Sequence, residues 1–268
     1  MNLTSHTQLS PLFEKLCLRI SANEAYQSAA QEVEAFTGMS ISHSTLHRLV
    51  NRIDLEWPEA QQVVMDISVD GGMVKVRTEQ KGQACQWLEY KSARVSGLYY
   101  GATFKENAIL CAWLNTQPLG RQLTCVGDGH DGVWNVFAEV GDGHQRLEIL
   151  DWFHLKENLY AVDGSMQRLN QAEEDLWHGR VEAAIEQFDD CQSKQAKRFQ
   201  GYLERHRTRL VNYSYLQAEG ITIGSGAVES SIKQIDQRLQ KTGAQWSYDN
   251  VPQILQVRCA YLNGMLAV

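Results

Sequence analysis

No stretch of this sequence approaches the ~20 apolar residues that a membrane-spanning helix requires. The first residues, Met1 to Leu12, are too polar for a secretory leader. A cytoplasmic protein without membrane contact is therefore expected. Paired cysteines are also missing: Cys17, Cys85, Cys111, Cys125, Cys191 and Cys259 lie far apart with no CxxC among them, which argues against a zinc ribbon or a disulfide framework and for buried free thiols. Positive charge is in short supply, 25 Lys and Arg against 32 Asp and Glu. That excludes a uniformly basic nucleic-acid surface but leaves room for a local one. What is present, 43% hydrophobic and 21% charged residues in a chain of 268, suits one medium-sized domain with a small appendage.

Ala22 to Thr37 carries Tyr26, Ala29, Ala30, Val33 and Phe36 at helical spacing, and Gly38 follows where a left-handed cap is wanted. Ser42 is a suitable N-cap for a second helix, His43 to Ile53, with Leu46, Leu49, Val50 and Ile53 on its apolar face. His43, Ser44, His47, Arg48 and Asn51 point away. The outline fits a helix-turn-helix that presents His43, Ser44, His47 and Arg48 to DNA, and equally a plain helical hairpin packed on a core.

Val63 to Asp70 alternates, with Val63, Met65, Ile67 and Val69 on one face and Val64, Asp66, Ser68 and Asp70 on the other. This predicts a strand ending on an acid, with Gly71-Gly72 free to turn or to let a ligand approach, and with Met73 to Thr78 as a hairpin partner or an extension of the strand. Trp87 to Tyr100 is a further β-rich stretch, and Phe104, Ala108, Cys111 and Leu114 mark a crossover helix closed by Pro118-Leu119-Gly120. Gln122 to Val126 is a buried strand running into Gly127-Asp128-Gly129; a short helix around Trp134 and Phe137 and a strand from Leu147 to Leu150 follow. The pattern is α/β, a mixed sheet with parallel members.

From Trp152 to about Glu219 only helical patterns appear. Lys194, Lys197, Arg198 and Arg205 belong to the most basic run of the chain, read either as a solvated helix face or as a DNA-backbone contact. A last helix follows Gly224-Ser225-Gly226, with Val228, Ile232, Ile235 and Leu239 as its buried stripe and Glu229 near its positive end. The expected organisation is an N-terminal helical segment over 1–58, a first core part over 59–154, a helical insertion over 155–219 and closing core helices over 220–268.

Asp70 and Asp128 end strands, and Glu229 opens a helix. In an α/β sheet, ligands bind outside the carboxyl ends of the strands, so the three acids can converge. Phosphodiester cleavage without a covalent intermediate needs an activated water or 3′ hydroxyl and a stabilised leaving oxygen. Two Mg²⁺ or Mn²⁺ ions held by carboxylates supply both. Asp66 and Asp131 are the local alternatives; Asp70 and Asp128 are preferred because glycine follows each. Asp163, Asp236 and Asp249 read as surface acids.

Four blocks, SVDGG at 68–72, GDGHDGVWN at 127–135, ILDWFHLKENLY at 149–160 and GSGAVESSIKQIDQRLQKTGAQWS at 224–247, resemble in this order the DDE transposases of bacterial insertion sequences, closest to the IS-Kra and Mutator-like groups. The resemblance implies an RNase H-like core with a helical insertion before the last catalytic helix. It implies a catalytic, metal-binding triad of Asp70, Asp128 and Glu229, and strand transfer between element ends and target DNA by a homodimer. It matches Asp151-x-x-His154 to an element beside the active site, where His154 orients a phosphate or a metal-bound water, or simply caps its neighbours. Trp246 is expected in the core rather than on a base. Family members carry a longer N-terminal DNA-binding region, which raises the alternative of a truncated copy acting as a DNA-binding regulator. A third reading is a dinucleotide-binding oxidoreductase, because Gly127 to Gly132 spells GxGxxG with Asp151 some way on. Asp128 and Asp131 in a loop meant for a pyrophosphate argue against it.

Overall fold

The computed structural model describes residues 9–80, 82–162, 164–224 and 226–268, with side chains at all of these except 227–229. Asp163 and the side chain of Val228 are thus outside the described residues. Three helices come first: α1 (Pro11–Ser21), α2 (Tyr26–Thr37) and α3 (His43–Arg52). α1 is additional to the two expected here; Ser10 accepts the Phe13 N–H at its start, and Pro11 fills the first position, where no N–H is needed. Gly38, at φ 69°, closes α2, and the Ser42 hydroxyl accepts the Thr45 N–H at the head of α3. Phe36 is not on the buried stripe of α2: it is 74% exposed, while Ala29 and Val33 are buried.

The sheet is built from β1 (Val64–Val76), β2 (Gln86–Val95), β3 (Tyr99–Thr103), β4 (Leu119–Gly127) and β5 (Arg146–Leu150) in the order β3-β2-β1-β4-β5. β1, β2 and β3 are antiparallel neighbours, whereas β4 and β5 run parallel to β1. Trp87 to Tyr100 is therefore not one stretch but a hairpin. Ser96 and Gly97, both at positive φ (47° and 63°), make its tight turn. The crossovers to the parallel strands are α4 (Asn107–Thr116) and α5 (Asp131–Ala138). α4 buries Leu110, Cys111, Trp113 and Leu114, with Ala108 exposed.

One feature of β1 differs from the sequence reading, and a second selects between its two alternatives beyond Gly72. Its register shifts between Val64 and Asp66, so Val64 is buried while Val63 and Met65 are exposed; beyond the bulge, Ile67 and Val69 face the core as expected. The strand does not end or turn at Gly71-Gly72 but runs through both, opposite Lys91 and Tyr90. A Cβ on Gly72 would lie 2.1 Å from Tyr90 Cζ, so this glycine makes room for a buried ring.

Five helices come next, α6 (Trp152–Tyr160), α7 (Met166–Trp177), α8 (Val181–Glu186), α9 (Lys194–Arg205) and α10 (Tyr213–Ala218), of which α6 starts ahead of the insertion expected over 155–219; α11 (Gly226–Leu239) and α12 (Val251–Leu262) follow. One apolar cluster joins Ile67, Val69, Ala93, Val95 and β4–β5 to α4, α5 and the insertion. Arg209 lies 4.1 Å over the Trp134 ring and donates to Glu148 (2.8 Å), and the Tyr213 hydroxyl donates to the Leu150 carbonyl (2.8 Å). The second cluster joins Val74, Val76, Tyr90, Tyr100 and Ala102 to α1–α3, α11 and α12. Arg19 there donates to the Leu266 carbonyl (3.2 Å) and Arg258 to the Ala22 carbonyl (3.1 Å). Trp246 is buried in this cluster, as expected. All six cysteines are free; Cys85 and Cys191 are half-buried and the other four buried. No helix among the described residues is long and apolar enough to cross a membrane.

Candidate active site

The two parallel ladders end in step. Val69 pairs with Gly127 and Gly127 with Leu150, so the next residue of each strand is an acid: Asp70, Asp128 and Asp151. The Asp151 N–H donates to the Gly127 carbonyl (2.8 Å), extending the ladder to the last of them. Neighbouring strands lie about 4.8 Å apart, which sets the three acids side by side. The strand order also reverses here, with β2 and β3 on one side of β1 and β4 and β5 on the other. The crevice outside such a switch point is where open α/β sheets hold ligands.

Each acid is fixed by a different local device. Asp70 is half-buried, and its Oδ1 accepts the N–H of Gly71 (2.7 Å). Asp128, also half-buried, accepts the N–H of His130 (2.9 Å), a turn that holds its carboxylate at the strand end. Asp151 is fully buried and caps α6, taking the His154 N–H (2.8 Å). The same oxygen stands 3.3 Å from His154 Nδ1. Hydrogen bonding to Asp151 lifts His154 to about 9 against the opposing effect of burial, aided by the charges of Asp151, Asp70 and Asp128. At neutral pH the ring is thus an imidazolium within electrostatic reach of all three carboxylates.

α9 roofs the Asp128 loop. A Cβ on Gly129 would meet Tyr202 Cε2 at 2.3 Å, so the ring lies directly against the glycine. Burial and the charges of Asp128 and Asp151 keep its hydroxyl protonated, and the oxygen has no hydrogen-bond partner among the described residues. Tyr202 carries no local sequence signal, because its contact with Gly129 is made across most of the insertion.

The chain enters α11 beside this row. The Trp152 N–H donates to the Ile223 carbonyl (3.1 Å), and a Cβ on Gly224 would lie 3.7 Å from Asp151 Oδ2. α11 then crosses β1 and β2: Asp236 accepts the Tyr90 hydroxyl (2.8 Å), and Gln240 donates to the Met73 carbonyl (2.8 Å). Asp236 is accordingly not the surface acid expected; burial pushes it up to about 6. Glu229 falls in the first turn of α11, and its side chain lies outside the described residues. Among the described residues, no group of three His, Cys, Asp or Glu could hold a metal ion. Asp70 and Asp128 form an oxygen-donor pair of the kind hard divalent cations take. Asp66 sits deeper in β1, its burial partly answered by Arg94, and Asp131 is exposed at the head of α5.

The residues expected at DNA lie on two helices. On α3, His43, Ser44 and Arg48 are exposed. His47 is half-buried, hydrogen-bonded to Asn250 (3.1 Å) and edge-on to Tyr26, so it packs the helix rather than standing free. On α9, Lys194, Lys197, Arg198 and Arg205 are exposed, away from the buried Ala196, Phe199 and Leu203.

No family model matches the chain. It is similar to a UPF0236 protein in the vanSb 3′ region of Streptococcus gallolyticus, 18% identical over 308 aligned positions that cover 100% of this chain and 67% of the relative.

Proposed function

We propose that this protein is a DDE-type DNA transposase, with Asp70, Asp128 and Glu229 as its catalytic acids on an RNase H-like core. The observation that carries the reading is the end of the parallel β1–β4 pairing at Val69 and Gly127, which sets Asp70 and Asp128 next in step at the switch point of the sheet, with the segment leading into α11 packed beside Asp151. An antiparallel β1–β3 meander followed by parallel β4 and β5, with helices inserted before α11, supports the RNase H-like part.

In this reading Asp70, Asp128 and Glu229 hold Mg²⁺ or Mn²⁺. Divalent ions in such a setting activate a water or 3′ hydroxyl and neutralise charge on the leaving oxygen. The buried Asp151 holds His154 charged and oriented, so the imidazolium offers an N–H and a positive charge to a non-bridging phosphate oxygen. Tyr202 closes the loop side of the crevice. The DNA partners are the element ends and the target, met by the basic side of α9 and the exposed end of α3, with a homodimer bringing two ends together. The dinucleotide alternative is disfavoured because Tyr202 fills the space against Gly129 that a pyrophosphate would occupy.

The test is cleavage of a labelled duplex carrying the repeats that flank the gene, with Mg²⁺, Mn²⁺ or EDTA. Wild type is expected to nick it only with metal, and Asp70→Asn and Glu229→Gln to reduce nicking to background while remaining folded. Undiminished cleavage by either variant removes that residue from the site, and cleavage in EDTA removes the metal chemistry.

A further inference from the structure

A second polar cavity lies where α2, α3, the end of β1 and the loop after α11 meet. It encloses about 260 Å³ and is lined by Tyr26, His47, Arg77, Arg238, Trp246 and Asn250 among others, none of them acidic. Arg238 is only 2% exposed. Its Nε donates to the Ser21 carbonyl (2.8 Å), and its guanidinium lies against the rings of Tyr26 (5.2 Å) and Trp246 (4.9 Å). Its Nη2 is buried with no hydrogen-bond partner among the described residues. Leaving a donor of a buried guanidinium unmet is costly, and burial already lowers this arginine to about 10. Arg77 is exposed on the rim, carried by a fixed piece of backbone: its N–H donates to the Trp246 carbonyl (2.8 Å), and the Trp246 N–H donates to the Lys75 carbonyl (3.0 Å).

We propose that this cavity is a phosphate-binding site, in which the Arg77 and Arg238 guanidinium groups clasp a phosphate group of a nucleic-acid strand. Glu24 reaches Arg238 only electrostatically, from outside the described lining, and is itself paired with Lys241; a planar guanidinium pair in a cavity lined by no carboxylate is the arrangement that recognises phosphate, and aromatic walls with the Asn250 and His47 side chains complete a pocket suited to a nucleotide unit. A nucleic-acid source is favoured by position. Arg77 stands seven residues beyond Asp70 on one continuous run of backbone, about 23 Å at the rise of a strand, so one strand of nucleic acid can span both places. The nucleic-acid assignment thus rests on the role proposed for Asp70, whereas the phosphate site itself, built from α2, α3, α11 and the residue after β1, uses none of the proposed catalytic acids and is tested apart from cleavage.

The experiment uses the full chain in EDTA with two probes, inorganic phosphate and a fluorescently labelled single-stranded oligonucleotide. Phosphate is expected to raise the wild-type thermal midpoint above that in chloride of equal ionic strength. Arg77→Glu should lose this shift, bind the oligonucleotide about tenfold more weakly, and show a log–log salt dependence shallower by about 0.7, one single-strand phosphate contact. Arg121→Glu, at an exposed cation outside the cavity, should keep the phosphate shift, and so should Asp70→Asn. Loss of the phosphate shift with unchanged oligonucleotide affinity keeps the site and assigns it a small phosphate ligand. Equal phosphate shifts in wild type and Arg77→Glu, no shift in either, or an equal loss in Arg121→Glu overturns the proposal.

Discussion

Replacing Gly72 with alanine tests whether this glycine serves the sheet or a ligand. The added Cβ would lie 2.1 Å from Tyr90 Cζ and 2.3 Å from its hydroxyl oxygen, against an ordinary contact of about 3.5 to 4 Å. The ring must therefore retreat by about 1.5 Å. It has nowhere to go, being fully buried, and its hydroxyl donates to Asp236 at 2.8 Å. Overpacking costs about 1 to 3 kcal/mol, and breaking that hydrogen bond costs about 1 to 2 kcal/mol more. Removing the backbone freedom of glycine offsets about 0.5 to 1 kcal/mol. The net expectation is a loss of about 2 to 3 kcal/mol, read as a lower urea midpoint with unchanged slope and a thermal midpoint lower by about 5 to 10 °C. In a Tyr90→Leu background the same change should cost markedly less, since the atoms it collides with are gone. Wild-type stability in Gly72→Ala, or an equal cost in both backgrounds, would refute the packing argument.

Asp151→Asn keeps a competent cap for α6 but removes the charge beside His154, so the imidazole should fall from about 9 towards its ordinary value near 6.5; a ¹H NMR titration of the ring that still finds it near 9 would contradict this. In the wild type, the His154–Asp151 contact should contribute its full stability below about pH 6.5 and lose it as pH rises through about 9. Asp236 has a consequence of the same sign at lower pH: burial raises its carboxyl to about 6, so ionising it costs stability as pH climbs from about 4 through 6. Asp236→Asn, which still accepts from Tyr90, should match wild type near pH 4 and exceed it by about 1 to 2 kcal/mol at pH 8; urea curves at the two pH values decide. Ser42→Ala, losing the 3.1 Å cap on the Thr45 N–H, should cost about 1 kcal/mol, and a change below a few tenths would show the cap to be replaceable by water.

Much of the acid row was legible because its signals are local. β1 and β4 each show as an apolar run ending on an acid followed by glycine, and Asp151 stands at the end of a third. What sequence does not display is register: that Val69, Gly127 and Leu150 are in step follows from the pairing of strands far apart in the chain. The choice between a turn and an extension after Gly71-Gly72 is open in the sequence for the same reason, since the need for glycine comes from Tyr90 on the opposite strand. Among the closing helices expected over 220–268, α12 has no bounds that the sequence shows, because Val251, Ile254, Leu255, Val257, Cys259 and Ala260 bury nearly its whole circumference, which erases helical periodicity. The cavity around Arg238 joins α2, α3 and α11, and no window of sequence contains it.

The second apolar cluster has a consequence for how the protein is made. Leu46, Leu49 and Val50 of α3 are covered in the same cluster as Ile254, Leu255 and Val257 of α12, and roughly 200 residues are translated between the two helices, about 10 to 40 s at ribosomal speed. Throughout that interval the opening helices hold apolar faces whose cover has not yet been synthesised. Biosynthesis of this chain thus carries a built-in waiting period, in which a holding chaperone has an obvious substrate. A stop codon placed before α12 would release a polypeptide whose earliest helices, not its latest, are the ones left uncovered.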